Sequence, residues 1–174
     1  MTVETEITRV ANYLKFPIKG KLSYTEDNII QMNINANEKI IGFSSILNYF
    51  HNEVQKKDNQ HVQDFYQTKQ FFDFANLFIR STSKRDKYAA CLELNSYLES
   101  RSYLIGQRIS LADLVVFYSL NDIMLQLSPL EKESYLNLSR WYSYIQSIET
   151  IRQNTKEVNF STIHLLGWNT AAHV

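Results

Sequence analysis

The 174 residues of the chain suffice for one domain, or one domain with a small appendage, whose core is buried without disulfides or metals. Its 18 basic and 18 acidic residues balance, and the short basic clusters predict no direct nucleic-acid ligand. Cys91 is the single cysteine, and no apolar run approaches the ~20 residues of a membrane span, which favours a non-membrane protein of a reducing compartment, the cytosol or the nucleus.

The first third of the chain predicts a small α+β unit over residues 1–57. Apolar residues recur at helical spacing until Pro17 ends the pattern. The period then becomes two between residues 21 and 41, which predicts a hairpin, and helical spacing returns from Ser44. The polar stretch 55–60 marks the predicted domain boundary.

The remainder predicts an all-helical domain over residues 62–160, followed by a tail at 161–174. One predicted helix, from about Gln63 to Arg80, is apolar on two sides. These sides are Phe65, Phe72 and Ile79 on one, and Phe71, Phe74 and Phe78 on the other. The pattern leaves two interpretations open, because both sides can be covered within the domain or one can bind a partner.

The next predicted helix runs from Lys84 to Arg101. Its expected buried stripe is Tyr88, Cys91, Leu92, Asn95 and Leu98. Cys91 is then a desolvated core thiol and chemically inert.

A complete helix start signal follows at residues 110–113. Ser110 is expected to accept a hydrogen bond from the backbone N–H of Asp113, while Asp113 accepts one from the N–H of Ser110. The helix that begins here is apolar nearly all round, so we predict that it is the central buried helix. The stretch after Arg152 has no sustained period and is expected to be partly mobile.

The sequence contains no pattern that indicates catalysis. Its four glycines form no phosphate-binding loop, and its four histidines lack metal-ligand spacing. Glu131 and Glu133 are expected to be solvated surface charges rather than an acid/base pair. We therefore predict no catalytic residues, no metal site and no cofactor.

Two groups of motifs resemble known families. Tyr103-Leu104, Gly106 and Ser110-Leu-Ala-Asp113 resemble the helical half of glutathione transferases, in which the Ser/Asp box caps the central helix. Segments 94–99 and 131–141 resemble the glutathione-transferase-like scaffold proteins of the multi-aminoacyl-tRNA synthetase complex, of the elongation factor 1 epsilon type. The resemblance implies a mostly α, glutathione-transferase-like fold, with an abbreviated thioredoxin-like N-terminal portion before an all-helical C-terminal domain.

The resemblance also implies a scaffold rather than an enzyme. Active glutathione transferases place a proline before a core strand and a Glu/Gln-Ser pair before the next helix, whereas this chain has 29-Ile-Ile-Gln-Met-32 and Gly42-Phe43. The implied partners are methionyl-tRNA synthetase and glutamyl-prolyl-tRNA synthetase, in a heteromeric complex of the cytoplasm. The family further implies a nuclear role in the DNA-damage response. The alternatives are a glutathione-dependent transferase and a subunit of the elongation factor 1 complex.

The same resemblance, with the surplus apolar surface, predicts two docking surfaces. The first, expected to bind methionyl-tRNA synthetase, consists of Phe43, Leu47, Phe50, Phe71, Phe74 and Phe78. The second, expected to bind glutamyl-prolyl-tRNA synthetase, is Arg140 with Tyr144 one helical turn on. Because the surfaces are separate, a substitution of Arg140 is expected to leave the first unaffected.

Overall fold

The computed structural model describes residues 2–18, 20–35, 38–55 and 62–160, and side chains are described except at 54–55 and 62–65. The tail at 161–174, the side chain of Phe65 and most of the predicted boundary lie outside these residues. The elements are α1 (Val3–Tyr13), β1 (Leu22–Tyr24), β2 (Ile30–Asn35), β3 (Glu38–Ile41), α2 (Phe43–Gln55), α3 (Val62–Phe74), α4 (Lys84–Tyr97), α5 (Leu111–Gln126), α6 (Pro129–Ser134), α7 (Leu136–Ser147) and α8 (Glu149–Arg152).

The N-terminal part consists of α1, an antiparallel three-stranded sheet in the order β1-β2-β3, and α2. Met32 in the central strand pairs with Leu22 on one side and Ile40 on the other. Ile30 and Met32 point into the core, which is the period of two that the sequence shows. The predicted hairpin is therefore confirmed and extended by a third strand. Gly20 lies against the Asn33 carbonyl, where an added Cβ would be 1.8 Å from the oxygen.

The C-terminal part is a helical bundle around α5. Every residue from Leu111 to Leu120 is buried, which confirms the prediction of a central helix. Helix α3 continues into a π-helical turn, Ala75–Ile79, and the Arg80 N–H donates to the Ala75 carbonyl. These parts agree with the predicted class, a mostly α chain with a small α+β N-terminal portion.

Helix α4 corrects the predicted stripe. Its buried residues are Ala90, Cys91 and Leu94, followed by Leu98 just after the helix, whereas Leu92 is 57% exposed. The prediction for Leu92 is wrong because the face of α4 that packs against the core is centred on Ala90, Cys91 and Leu94, which is rotated about the helix axis from the predicted face. The helix also ends at Tyr97 rather than Arg101.

One buried cluster runs through both parts of the chain. The Arg80 guanidinium donates to the Glu6 carboxylate, and the Ser119 hydroxyl donates to the same carboxylate at 3.1 Å. Burial raises the pKa of Glu6, and Arg80 opposes that rise. This contact joins α1, the end of the π-helical turn and α5.

The segment after α8 is also packed, at least to residue 160. Both ends of the buried Gln146 amide bond to Val158, with Nε2 donating to its carbonyl at 2.9 Å and Oε1 accepting from its N–H at 3.1 Å. Arg9 donates to the Thr155 hydroxyl at 2.6 Å. Contacts with distant elements thus hold part of residues 153–160 where periodicity is missing, and the partial mobility of the tail stays a prediction.

Candidate docking surfaces

The predicted capping box is present and is larger than predicted. Asp113 Oδ2 accepts from the Ser110 N–H at 2.9 Å and the Ser110 hydroxyl at 2.7 Å, while Ser110 Oγ accepts from the Asp113 N–H at 3.4 Å. Asp113 Oδ1 accepts from the Leu104 N–H at 2.9 Å and from Trp141 Nε1 at 3.0 Å. Burial raises the pKa of Asp113, although these hydrogen bonds oppose the rise. Every acceptor site is in use, so the role of Asp113 is structural.

Three residues predicted for the first docking surface lie inside the chain instead. Leu47 and Phe50 are fully buried, and Phe43 is nearly so. The ring of Phe50 packs against Phe16, with centroids 5.0 Å apart, and the Arg80 guanidinium lies 3.5 Å over the ring of Phe43. The prediction that these three residues contact a partner is wrong, because α2 packs its single apolar stripe against the sheet and the helices of its own chain.

The other three predicted residues lie where solvent reaches them. Phe78 is 47% exposed, and Phe74 and Phe71 are half-buried. The rings of Phe74 and Phe78 are 5.4 Å apart. Sequence reasoning missed Leu77, which is 64% exposed beside them. Within the π-helical turn, Ala75 and Ile79 are buried while the consecutive residues 76–78 face solvent.

A cleft of about 400 Å³ lies between α3 and α4 beside these residues. Its apolar walls are Phe71, Phe74, Leu94 and Tyr97, and its polar lining is Gln67, Gln70, Glu93 and Arg101. The rings of Phe71 and Tyr97 meet edge to face across it, with centroids 5.4 Å apart. We call this cleft together with Leu77 and Phe78 the α3–α4 surface. Apolar walls with a few polar groups suit a protein partner.

The second predicted site has a different internal geometry from the one expected. Arg140 Nη2 donates to the Leu98 carbonyl at 2.8 Å and to the Arg101 carbonyl at 3.0 Å. Tyr144 pairs with Tyr103, with hydroxyl oxygens 3.1 Å apart and ring centroids 6.0 Å apart. We call Arg101, Tyr103, Arg140 and Tyr144 together the Arg140 surface. Arg140 thus holds the chain after α4, and its contact with a partner stays a prediction.

Glu131 has a structural role that the sequence analysis missed. It forms a second capping box with Ser128, and it accepts from the Tyr88 hydroxyl at 2.9 Å. The hydrogen bonds from the Ser128 N–H and hydroxyl lower the pKa of Glu131. Glu131 is thus a surface charge that also caps α6, and the Ser128-Pro-Leu-Glu131 spacing was the available signal for this role. Glu133 is exposed, as expected.

Within the ranges described above, no group of three or more His, Cys, Asp or Glu side chains is arranged to hold a metal ion. The helices of that same part of the chain include none with the length and apolar character needed to cross a membrane. Cys91 is buried, and burial raises the pKa of its thiol to about 11. The thiol is therefore protonated at neutral pH and a poor nucleophile.

Comparison with known proteins finds relatives whose similarity includes the helices that carry both surfaces. A family model described as "Nuclear-export cofactor Arc1p" matches residues 69–149. Eukaryotic translation elongation factor 1 epsilon-1 of Mus musculus is 31% identical over 138 residues, which is 78% of this chain and 79% of the mouse protein. The same-named protein of Cricetulus griseus is 44% identical over 79 residues, and this alignment spans only 45% of each chain.

A solved structure resembles the whole described fold. It comes from crystal structures of two binary sub-complexes of the yeast aminoacyl-tRNA synthetase complex. Its chain aligns with a TM-score of 0.58 at 15% identity, covering 98% of this chain and 92% of that one. The likeness confirms the predicted glutathione-transferase-like fold.

Proposed function

This chain belongs to the eukaryotic translation elongation factor 1 epsilon-1 family, and from that membership we propose that it is a non-catalytic scaffold subunit of the multi-aminoacyl-tRNA synthetase complex. One observation carries the proposal: the family match over residues 69–149 includes all of the Arg140 surface and all of the α3–α4 surface except Gln67. The region shared with that family thus carries the exposed Phe78, Tyr144 and Arg140.

We assign one synthetase to each surface. The α3–α4 surface binds the transferase-like domain of methionyl-tRNA synthetase, and the Arg140 surface binds that of glutamyl-prolyl-tRNA synthetase. Exposed aromatic residues and arginines are the side chains enriched at interface hot spots. Two separate faces on one chain allow similar domains to assemble in series. The working location is the cytoplasm, with the nucleus as a second one.

The N-terminal part supports the absence of glutathione chemistry. Where active transferases carry a polar pair before the helix, this chain has Gly42, whose φ is +96°, and Phe43, whose ring packs under Arg80. The neighbouring strand β2 has no proline. That end of the sheet therefore offers a buried ring where the enzymes offer polar groups to glutathione.

The experiment is calorimetric titration of the purified chain with three probes. The isolated transferase-like domains of methionyl-tRNA synthetase and of glutamyl-prolyl-tRNA synthetase are each expected to bind saturably with one-to-one stoichiometry. Glutathione is expected to give no saturable heat. Failure of both domains to bind contradicts the scaffold assignment, and saturable glutathione binding at millimolar or lower concentration supports the transferase alternative.

A second candidate is a subunit of the elongation factor 1 complex, which the name of the related proteins favours. Purification of a tagged chain from cytosol separates the two candidates. Synthetases as the main co-purifying proteins support the scaffold, and elongation factor 1 subunits without synthetases support the second candidate.

A further inference from the structure

We propose that the two docking surfaces are energetically coupled through residues 97–104, so that a partner bound at Arg140 tightens binding at the α3–α4 surface. The inference rests on the proposed function, because it needs each surface to have a partner. It replaces the expectation from the sequence that the two surfaces act independently.

The first link is the contact of Arg140 with the end of α4. Nη2 of Arg140 donates to the carbonyls of Leu98 and Arg101, at 2.8 and 3.0 Å. Both carbonyls lie just beyond the last residue of the helix, Tyr97, where backbone acceptors lack partners within the helix and a positive charge is favourable. Arg140 of α7 therefore fixes the course of the chain as it leaves α4.

The second link is the contact of that same stretch with the cleft. Arg101 Nη1 donates to the Tyr97 carbonyl at 2.9 Å, and its guanidinium lies 4.2 Å over the Tyr97 ring. The Tyr97 hydroxyl donates to the Leu104 carbonyl at 2.9 Å, and the ring meets Phe71 edge to face. Tyr97 and Arg101 both line the cleft. Arg101, whose carbonyl Arg140 holds, is thus part of the cleft wall, and Leu98 directly follows the wall residue Tyr97.

The stretch between these contacts is anchored at both ends and exposed in the middle. Leu98 and Leu104 are fully buried, and the Leu104 N–H donates to Asp113. Residues 99–102 are exposed. Exposed backbone with little buried apolar contact is the part of a fold that opens most easily, so its order depends strongly on Arg140.

The direction of the coupling follows from entropy. Arg140 is itself exposed, and its long side chain has substantial rotamer freedom to lose. Only Nη2 is used in the two carbonyl contacts, so a partner that accepts from the remaining guanidinium N–H groups can immobilise Arg140 with those contacts intact. The first partner then bears the ordering cost of residues 97–104, and the second partner binds a cleft that is already ordered.

Titration of each domain in the absence and presence of the other tests the coupling. We expect saturating glutamyl-prolyl-tRNA synthetase domain to tighten binding of the methionyl-tRNA synthetase domain by about fivefold or more, and the reverse effect to be equal in size. Unchanged affinities with both domains still binding overturn the coupling and leave the proposed function standing. Failure of both domains to bind instead overturns the proposed function, and failure of one domain overturns its assignment to a surface and with it the coupling.

Backbone hydrogen exchange of the free chain provides a readout that needs no partner. Arg140→Ala is expected to raise exchange at residues 98–104, and to weaken binding of the methionyl-tRNA synthetase domain about fivefold where that domain binds. The matched control is Arg85→Ala, which removes another exposed arginine, at the opposite end of α4. It is expected to change neither quantity. Unchanged exchange in Arg140→Ala, with native circular dichroism, overturns the proposal even if no partner binds.

Discussion

The Asp113 side chain connects three separate parts of the fold. Its carboxylate accepts hydrogen bonds from the cap residue Ser110, from the Leu104 backbone and from Trp141 on α7. The first contact could be predicted, because a capping box is a pattern of residues three apart. The other two could not, because they depend on how α7 and the preceding loop pack against α5.

Replacement of Asp113 by alanine is expected to lower the free energy of unfolding by at least about 2 kcal/mol. The substitution removes the cap and leaves the buried N–H of Leu104 and Nε1–H of Trp141 without their acceptor. Urea unfolding measures the loss. Glu133→Ala removes an exposed carboxylate and should stay within about 0.5 kcal/mol of the native chain. Equal midpoints for the two variants would refute the buried-cap account.

Cys91 gives a prediction about pH. Burial raises the pKa of its thiol from 9.0 to about 11, so the unfolded chain loses this proton at lower pH than the folded chain does. The contribution to stability is therefore complete below pH 9 and is lost as the pH rises toward 11. Relative to Cys91→Ala, the native chain should lose up to about 1.4 kcal/mol per pH unit in that window.

A thiol reagent checks the same burial at pH 8. Labelling of Cys91 should proceed only as fast as the chain opens, and it should accelerate sharply in urea. Rapid labelling of the folded chain, at the rate of a free thiol, would be inconsistent with a buried Cys91.

Helices α2 and α3 differ in how completely their apolar side chains are buried. Both contain phenylalanines at helical spacing, yet Leu47 and Phe50 of α2 are buried while Phe71 and Phe74 of α3 are half-buried. Periodicity predicted both helices correctly, but it does not indicate what covers each side. The π-helical turn after α3, which contains the exposed Leu77 and Phe78, had no recognisable signal in the sequence.

Leu77→Glu is expected to weaken binding of the methionyl-tRNA synthetase domain by at least about 2 kcal/mol, because it places a charge in the apolar part of the α3–α4 surface. The urea midpoint should hardly change, because Leu77 is 64% exposed. Leu92→Glu is the matched control, since Leu92 is 57% exposed on α4 outside the cleft lining. Equal binding by both variants would show that the surface lies elsewhere.

Across the whole molecule, contacts distant in sequence join the N-terminal part to the helices. Glu6 and Arg80 are 74 positions apart, and Arg9 and Thr155 are 146 apart. Local patterns predicted the hairpin, the central helix and its cap, because those depend on neighbours in the chain. The ion pair, the packing of residues 153–160 and the burial of α2 depend on the tertiary arrangement, which no local pattern encodes.

Arg80→Met is expected to cost about 3 kcal/mol or more, because it leaves the buried Glu6 carboxylate without its charged partner. The double variant Glu6→Gln, Arg80→Met should recover part of the loss. Burial already raises the pKa of Glu6, and loss of Arg80 should raise it further. The single variant should therefore be least destabilised in acid and lose stability as the pH rises. Additive losses in the double variant would contradict this pairing.

On the proposed function, this chain joins two synthetases at once through separate surfaces. Size-exclusion chromatography with light scattering, on the chain mixed with both transferase-like domains, tests it most directly. We expect a single species whose mass equals one copy of each of the three chains. Two mutually exclusive binary complexes, or three components that elute separately, would contradict it.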